Sequence, residues 1–347
     1  GPGATGGVAS IDACREGVDE GRLDEAAPCY RETIRLNPVH ALAHNNLGRI
    51  LELQGDSDAA AAAYCQALTV DPRCAAALNN LGNWYKERGR IAEAAECLEQ
   101  AAAVSPEQAE SWSNLGTLRD IQGRTEEARS CYEKALTCDP QFISAHGNLL
   151  LNLNYHADVS PYEAFQEAKT WALPHGRRHL PARVYHHRGR QPQARIRVGY
   201  VSPDLKTHSV AYFLEPILAG HDRTHFEVFC YANVSGPDGV TERLRGLADH
   251  WRDIVTLSDD QAAELIHGDE IDILVDLAGH TARSRLGVFL RKPAPVQVTY
   301  LGYPNTTGLY TMDYRLTDGV ADPPGNTDRW YTESLVRLPH GFLCYRP

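Results

Sequence analysis

Four prolines, Pro38, Pro72, Pro106 and Pro140, stand 34 residues apart, and Gly21, Gly55, Gly89 and Gly123 keep the same period. A register of this kind restricts the first half of the chain to a tandem array, in which one supersecondary unit recurs and each copy packs on the next. Between the markers the same residue types return: Leu47, Leu81, Leu115; Gly48, Gly82, Gly116; Ala60, Ala94, Ala128; Tyr64, Leu98, Tyr132; Ala67, Ala101, Ala135. The glycine admits a close helix approach, the alanine fits the tight crossing, and the proline stops each unit before the next begins. The period therefore predicts one helix pair per 34 residues.

This is the tetratricopeptide pattern. It predicts four units over roughly residues 7 to 140, with Ile143 to Tyr155 as the first helix of a fifth. The first unit is degenerate, carrying Ala13 and Cys14 where the others have Leu-Gly. One polar position keeps the period: Asn46, Asn80, Asn114 and Asn148, each immediately before a Leu. A ladder of carboxamides offers donors and acceptors that hold an extended peptide by its backbone, with little regard to its side chains. The alternative is that these are solvated helix positions kept by duplication of the repeat.

Composition narrows the partners. The 347 residues carry 34 Lys+Arg against 45 Asp+Glu, a formal charge of -11, which lacks the basic footprint that nucleic-acid phosphates require. No apolar stretch approaches the ~18 residues that cross a bilayer, and Gly1 to Ser10 has neither the basic start nor the long apolar run of a secretory signal. Nine cysteines (Cys14, Cys29, Cys65, Cys74, Cys97, Cys131, Cys138, Cys230, Cys344), odd in number and without CxxC spacing, read as reduced thiols rather than a disulfide frame or a zinc site. No nucleic acid, membrane or metal is expected as a partner.

After a helical stretch, Pro161 to Leu173, the segment His175 to Arg197 is rich in arginine and proline and reads as a linker. From Ile196 the period changes. Short runs, some rich in β-formers and some helical, follow one another: Ile196 to Val201, Val210 to Ala219, Phe226 to Tyr231, Val240 to Ala248, Ile254 to Leu257, Gln261 to His267 and Ile271 to Leu277. Val296 to Leu301, Tyr314 to Thr317 and Leu335 to Leu338 read as further strands. Such alternation predicts a parallel sheet covered by helices on both faces, with ligands beyond the carboxyl ends of its strands. Three loops fall there: Ser202 to Ser209, Ala278 to Thr281 and Gly302 to Gly308. His208 and His280 lie on two of them, and either is equally readable as a catalytic or a structural imidazole. No GxGxxG, GxxxxGK[ST], HExxH or GxSxG motif is present.

The wording RIRVGYVSPDLKTHSVAYFLEP (195–216), IDILVDLAGHT (271–281), RKPAPVQVTYLGYPNTTGL (291–309), MDYRLTDGVADPP (312–324) and LVRLPHGFLCYRP (335–347) resembles the nucleocytoplasmic protein O-glycosyltransferases that carry N-terminal tetratricopeptide repeats, nearer the SPINDLY type than the animal O-GlcNAc transferases. The resemblance implies an α-solenoid of tetratricopeptide repeats (1–155), a helical and basic linker (156–194) and an α/β Rossmann-like lobe (195–347), the N-terminal half of a GT-B catalytic region whose second lobe would follow. It further implies His208 as the active-site histidine, acting as base or positioning the acceptor hydroxyl. Donor-facing positions implied are His280, Thr281, Gly302, Tyr303, Pro304, Asn305, Thr306 and Thr307, and Asn46, Asn80, Asn114 and Asn148 match a peptide-holding ladder. The function implied is metal-free transfer of fucose from GDP-fucose, or of N-acetylglucosamine from UDP-GlcNAc, to Ser or Thr of cytoplasmic and nuclear proteins, with self-association through the repeats. Without a second lobe this chain is expected to be inactive alone, and an adaptor that binds proteins without catalysis is the competing expectation.

Overall fold

The computed structural model describes Cys14, residues 23–178 and residues 194–345. Most of the arginine-rich linker and the start of the first repeat lie outside the described residues. The chain divides into two compact units at Ala145 and His146.

Among the described residues the first unit is built of helices: α1 (Leu23–Leu36), α2 (Ala41–Leu53), α3 (Ser57–Val70), α4 (Ala75–Glu87), α5 (Ile91–Val104), α6 (Ala109–Ile121) and α7 (Thr125–Cys138). Gly55, Gly89 and Gly123 follow the first helix of successive pairs at φ +88, +71 and +73, the left-handed conformation that ends a helix and turns the chain back. Asp56 then caps α3 by accepting from the Ala59 N–H at 3.1 Å. Ala60, Ala94 and Ala128 are fully buried at the crossings, beside Tyr64, Leu98 and Tyr132. The fit has no slack, since a Cβ on Gly48, Gly82 or Gly116 would lie 2.5, 2.7 or 2.6 Å from those side chains.

One expectation is overturned here. Cys14 and Cys29 are joined as a disulfide, with Cα atoms 5.6 Å apart, whereas the other seven cysteines are free. Odd number and absent CxxC spacing say nothing about two residues that a helix crossing brings together.

The second unit begins in α8 (Ile143–Leu153) and continues through α9 (Pro161–Arg178) into a seven-stranded sheet. Its strands are β1 (Ile196–Ser202), β2 (Phe226–Ala232), β3 (His250–Asp253), β4 (Ile273–Asp276), β5 (Val296–Thr299), β6 (Tyr314–Asp318) and β7 (Ser334–Leu338). All neighbours pair in parallel, in the order β3-β2-β1-β4-β5-β6-β7. The connecting helices are α10 (Ser209–Gly220), α11 (Gly239–Arg245), α12 (Asp259–Gly268) and α13 (Leu286–Leu290).

Side chains alternate between two cores, as the pleat dictates. Val198, Tyr200, Val228 and Cys230 join Leu205, Leu214 and Leu218 on one face, while Val201, Phe229, Tyr231 and Leu274 join Ile266 and Phe289 on the other. The helix read from sequence as part of a linker contributes Ala168, Trp171 and Ala172 to that second core, together with Leu150 of α8. The third strand also differs from expectation. The β-branched run Ile254 to Leu257 is a turn, and the strand is His250–Asp253, because pairing with β2 ends at Ala232 with Asp253 and Ile254 only donates one last bond to the Ala232 carbonyl.

The glycine at each crossing is the feature of the array most sensitive to substitution. Gly116→Ala is expected to destabilise the solenoid by about 1–3 kcal/mol through overlap with the buried Tyr132 ring. Chemical denaturation followed by circular dichroism measures it, and an unchanged midpoint would mean that Tyr132 swings aside freely.

Candidate functional site

In the second unit the chain leaves β1 toward β2 on one side and returns to β4 on the other. That reversal opens a crevice beyond the carboxyl ends of β1 and β4, where open parallel sheets bind ligands. The loops after β1, β4 and β5 are the three that the sequence points to.

The loop after β1 is held by its own backbone and by a neighbour. Ser202 Oγ accepts from the Asp204 N–H at 2.9 Å, Leu205 is buried, and the Thr207 N–H donates to Asp238 at 2.8 Å. Asp238 also caps α11 through the Val240 and Thr241 N–H groups, and hydrogen bonds, led by the one with Thr207, hold its carboxyl below the usual range. His208 is the N-cap of α10 and its side chain is 43% exposed. Its Nδ1 accepts from the Val210 N–H at 3.3 Å, so in the neutral ring the proton resides on the outward Nε2. Asp204 stands 3.8 Å from Nδ1, too far for a hydrogen bond, and burial pushes its carboxyl up.

The loop after β4 is organised by Asp276, 1% exposed, which accepts from the Ala278 N–H (3.1 Å), the Gly279 N–H (2.8 Å) and Thr299 Oγ1 (3.0 Å). Burial outweighs those bonds and pushes its pKa up to about 6. His280 is 3% exposed, wedged edge-on between Trp171 and Tyr303 at ring separations of 4.5 and 5.1 Å. Its Nε2 donates to the Thr307 carbonyl at 2.9 Å. Thr281 turns its hydroxyl back to the Ala278 carbonyl at 2.9 Å.

In the loop after β5 most polar groups are likewise engaged. Tyr303 is buried, donates to the Leu150 carbonyl at 3.2 Å, and burial raises its phenol. Thr306 and Thr307 both donate their hydroxyls to Glu333, which also takes the Thr307 N–H at 2.8 Å. Arg315 Nη1 reaches the carbonyls of Tyr303 and Asn305 at 2.8 and 3.2 Å. Pro304 and Asn305 remain accessible. They line a cleft of ≈ 280 Å³ with Asn154, Asp322, Trp330 and Tyr331.

Of the sequence-derived residues, then, His208, Pro304, Asn305 and partly Thr281 and Gly302 face outward, while His280, Tyr303, Thr306 and Thr307 act as the framework behind them. Asp276, Asp238, Arg315 and Glu333 were not singled out in the sequence. Asp276 lies inside a conspicuous motif, but nothing local marks Glu333 as the partner of Thr306 and Thr307.

The Asn ladder is half-buried at all four positions. In the first unit, Asn46 donates to the Tyr30 hydroxyl at 3.2 Å, and Asn80 donates to Asn45 of the preceding repeat at 2.9 Å. The preceding position is the more buried: Asn79 donates to Ser111 at 2.7 Å, so side-chain amides also tie repeat to repeat. Asn114 lies on α6, and Asn148 on the part of α8 that belongs to the second unit.

The model of glycosyl transferase family 41 matches residues 177–345. The match covers the sheet-bearing part of the second unit. Residues 13–169 match the C-terminal domain of cilia and flagella-associated protein 70. A relative from Solanum lycopersicum, named as a probable UDP-N-acetylglucosamine–peptide N-acetylglucosaminyltransferase SPINDLY, is 43% identical over 214 residues, 59% of this chain and 22% of its own length. A UDP-N-acetylglucosamine–peptide N-acetylglucosaminyltransferase of Caenorhabditis elegans is 38% identical over 43% of this chain and 13% of its own length. The structure of a mutant O-GlcNAc transferase from Thermobaculum terrenum superposes with a TM-score of 0.80 at 39% identity, covering 87% of this chain and 58% of that one. This chain therefore spans about a fifth of the SPINDLY relative. Its architecture is tetratricopeptide repeats followed by a Rossmann-like GT-B lobe, as in that structural neighbour. Among the described residues no helix is long and apolar enough to cross a membrane.

The buried imidazole gives the lobe a pH signature. Burial pushes the His280 pKa from 6.5 down to about 4, so across that interval the folded state binds fewer protons than the unfolded chain. Its stabilisation is fully present above pH 6.5 and is lost as the pH falls to 4, on the order of 3 kcal/mol in all. Asp276, raised instead, works in the opposite sense, losing stability as the pH rises from about 4 to 6. His280→Asn is expected to flatten the fall in melting temperature between pH 7 and 5, measured by calorimetry. A slope equal to that of the wild type would show that the imidazole is solvated.

Proposed function

We propose that this chain is the repeat array and acceptor-side lobe of a protein O-glycosyltransferase, which moves a sugar from a nucleoside diphosphate to Ser or Thr hydroxyls of cytoplasmic or nuclear proteins. The observation that carries the reading is the crevice between β1 and β4 in a family 41 lobe, with one accessible histidine at its rim. The names of the relatives favour N-acetylglucosamine over fucose. Transfer requires a second nucleotide-binding lobe as well, consistent with the small share of the relatives that this chain spans.

In this reading the acceptor oxygen attacks the anomeric carbon, the bond to the diphosphate oxygen breaks, and the hydroxyl proton leaves. His208 is placed to assist, but not as the base. With Nδ1 occupied by the Val210 N–H, the outward Nε2 donates a hydrogen bond, which suits holding the acceptor or the diphosphate oxygen. The proton then goes to another acceptor, of which a donor phosphate oxygen is the nearest in kind. Pro304, Asn305 and, in part, Thr281 and Gly302 supply the accessible wall, and the buried His280, Tyr303, Thr306 and Thr307 keep it in place.

Two measurements test this. In the full-length enzyme, His208→Ala is expected to lower kcat by about 10²-fold, while the acid limb of the pH–rate profile survives. Disappearance of that limb would make His208 the base, and an unchanged kcat would remove it from the site. Changing Asn46, Asn80, Asn114 and Asn148 together to Ala should weaken binding of unrelated acceptor peptides alike, by about 1 kcal/mol or more per lost bond. Fluorescence-polarisation affinities equal to wild type, with helicity intact, would refute the ladder.

A further inference from the structure

Cys14 stands at the repeat position held by Gly48, Gly82 and Gly116, and Cys29 at the position held by Ala63, Cys97 and Cys131. In an intact repeat these two positions face one another across the helix crossing. A Cβ built on Gly82 would lie 3.3 Å from Cβ of Cys97, close to the short end of the Cβ separations that disulfides span. The repeat backbone thus sets this pair of positions at bonding distance, and among the four described crossings only the first carries cysteine at both. The 5.6 Å between Cα atoms of Cys14 and Cys29 agrees with that register.

We propose that Cys14 and Cys29 are a reversible dithiol–disulfide switch that cross-links the helix crossing of the first repeat. A second departure in the same repeat explains what the bond does. Pro28 lies inside α1, where the later repeats have Ala62, Glu96 and Ser130, so α1 lacks one backbone hydrogen bond in its interior. Replacement of the crossing glycine and insertion of a proline both weaken the pair, and the covalent bond offsets them. In the reduced state α1 is the helix of the array held least tightly.

The two sulfurs differ in access. Cys14 is buried among Ala26, Ala27, Tyr30, Ala43 and Ile50, whereas Cys29 is half-buried. Exchange therefore proceeds through Cys29. Its thiolate attacks one sulfur of a small disulfide of the glutathione type, forming a mixed disulfide and releasing one thiol. The Cys14 thiolate then attacks Sγ of Cys29, which makes the Cys14–Cys29 bond and releases the second thiol. The two cysteines lose two electrons and two protons, and the small disulfide is reduced to two thiols. A small dithiol reverses the sequence by attacking Cys29.

The test uses the full chain, equilibrated with oxidised glutathione or with dithiothreitol, alkylated and mapped by mass spectrometry, with hydrogen exchange over Leu23–Leu36 followed in parallel. A cross-linked peptide joining Cys14 to Cys29 is expected only under oxidising conditions, with exchange in α1 slowed by about tenfold or more. Cys14→Gly combined with Cys29→Ala restores the residues of the second repeat, and should fold with an exchange rate that no longer responds to redox conditions. Alkylation of both cysteines under oxidised glutathione, pairing of Cys29 with another cysteine, or α1 exchange equal in the two states would each overturn the switch.

Discussion

The candidate site depends on a contact between two stretches of backbone. At Gly302 a Cβ would lie 2.0 Å from the Leu277 carbonyl oxygen, so the loops leaving β4 and β5 are pressed together at a point where no other residue fits. A second lock lies beside it, because Gly279 adopts φ +56 with the Tyr303 Cβ where its own would be, 2.3 Å away. Neither loop can shift without the other. Leu301, at φ +65, carries a conformation that costs an L-residue roughly 1–2 kcal/mol, and it directly precedes the close backbone contact at Gly302.

Charge completes what packing begins. Glu333 arrives from the far edge of the sheet, just ahead of β7, to collect two threonine hydroxyls and a backbone N–H from the loop after β5. Arg315 at the start of β6 donates to two carbonyls of the same loop. Each such group, buried, would cost about 1–3 kcal/mol if left without its partner, so the loop, the sheet edge and the Tyr303 wedge against Leu150 form one assembly. The accessible residues Pro304 and Asn305 are consequently presented by a rigid frame, the condition under which fixed dipoles act on a reacting group without first reorganising.

How much of this is legible in the sequence follows from the range of the interactions. The repeat array is legible because its rules are local: the same glycine, alanine and proline return every 34 residues, and each residue meets neighbours one helix away. The alternating lobe is legible for a similar reason, save for β3, where a β-branched run mimics a strand although the ladder partner has already ended at Ala232. Glu333, Arg315 and Asp276 escape notice because their meaning lies in partners distant along the chain or in burial, neither of which a single sequence displays. The Cys14–Cys29 pair is an intermediate case. Its register is written in the period, but it becomes readable only after a later repeat shows which two positions face each other.

His208 and His280 show where sequence reading stops and physical environment takes over. Both occupy loops at the carboxyl edge of a parallel strand, and nothing in residue type or spacing separates them. In the folded lobe one ring is enclosed by Trp171 and Tyr303, with its proton committed to a carbonyl, and burial keeps it neutral down to a pH of about 4. Such a ring neither donates to nor accepts from a substrate, and its service is to fasten the β4 loop to the β5 loop. The other caps a helix with one nitrogen, and its side chain is partly exposed. The capping bond does more than fix the orientation, for by occupying Nδ1 it selects the tautomer and so determines that the exposed nitrogen offers a proton rather than a lone pair. A helix cap thereby sets the hydrogen-bonding character that this imidazole presents at the carboxyl edge of the sheet.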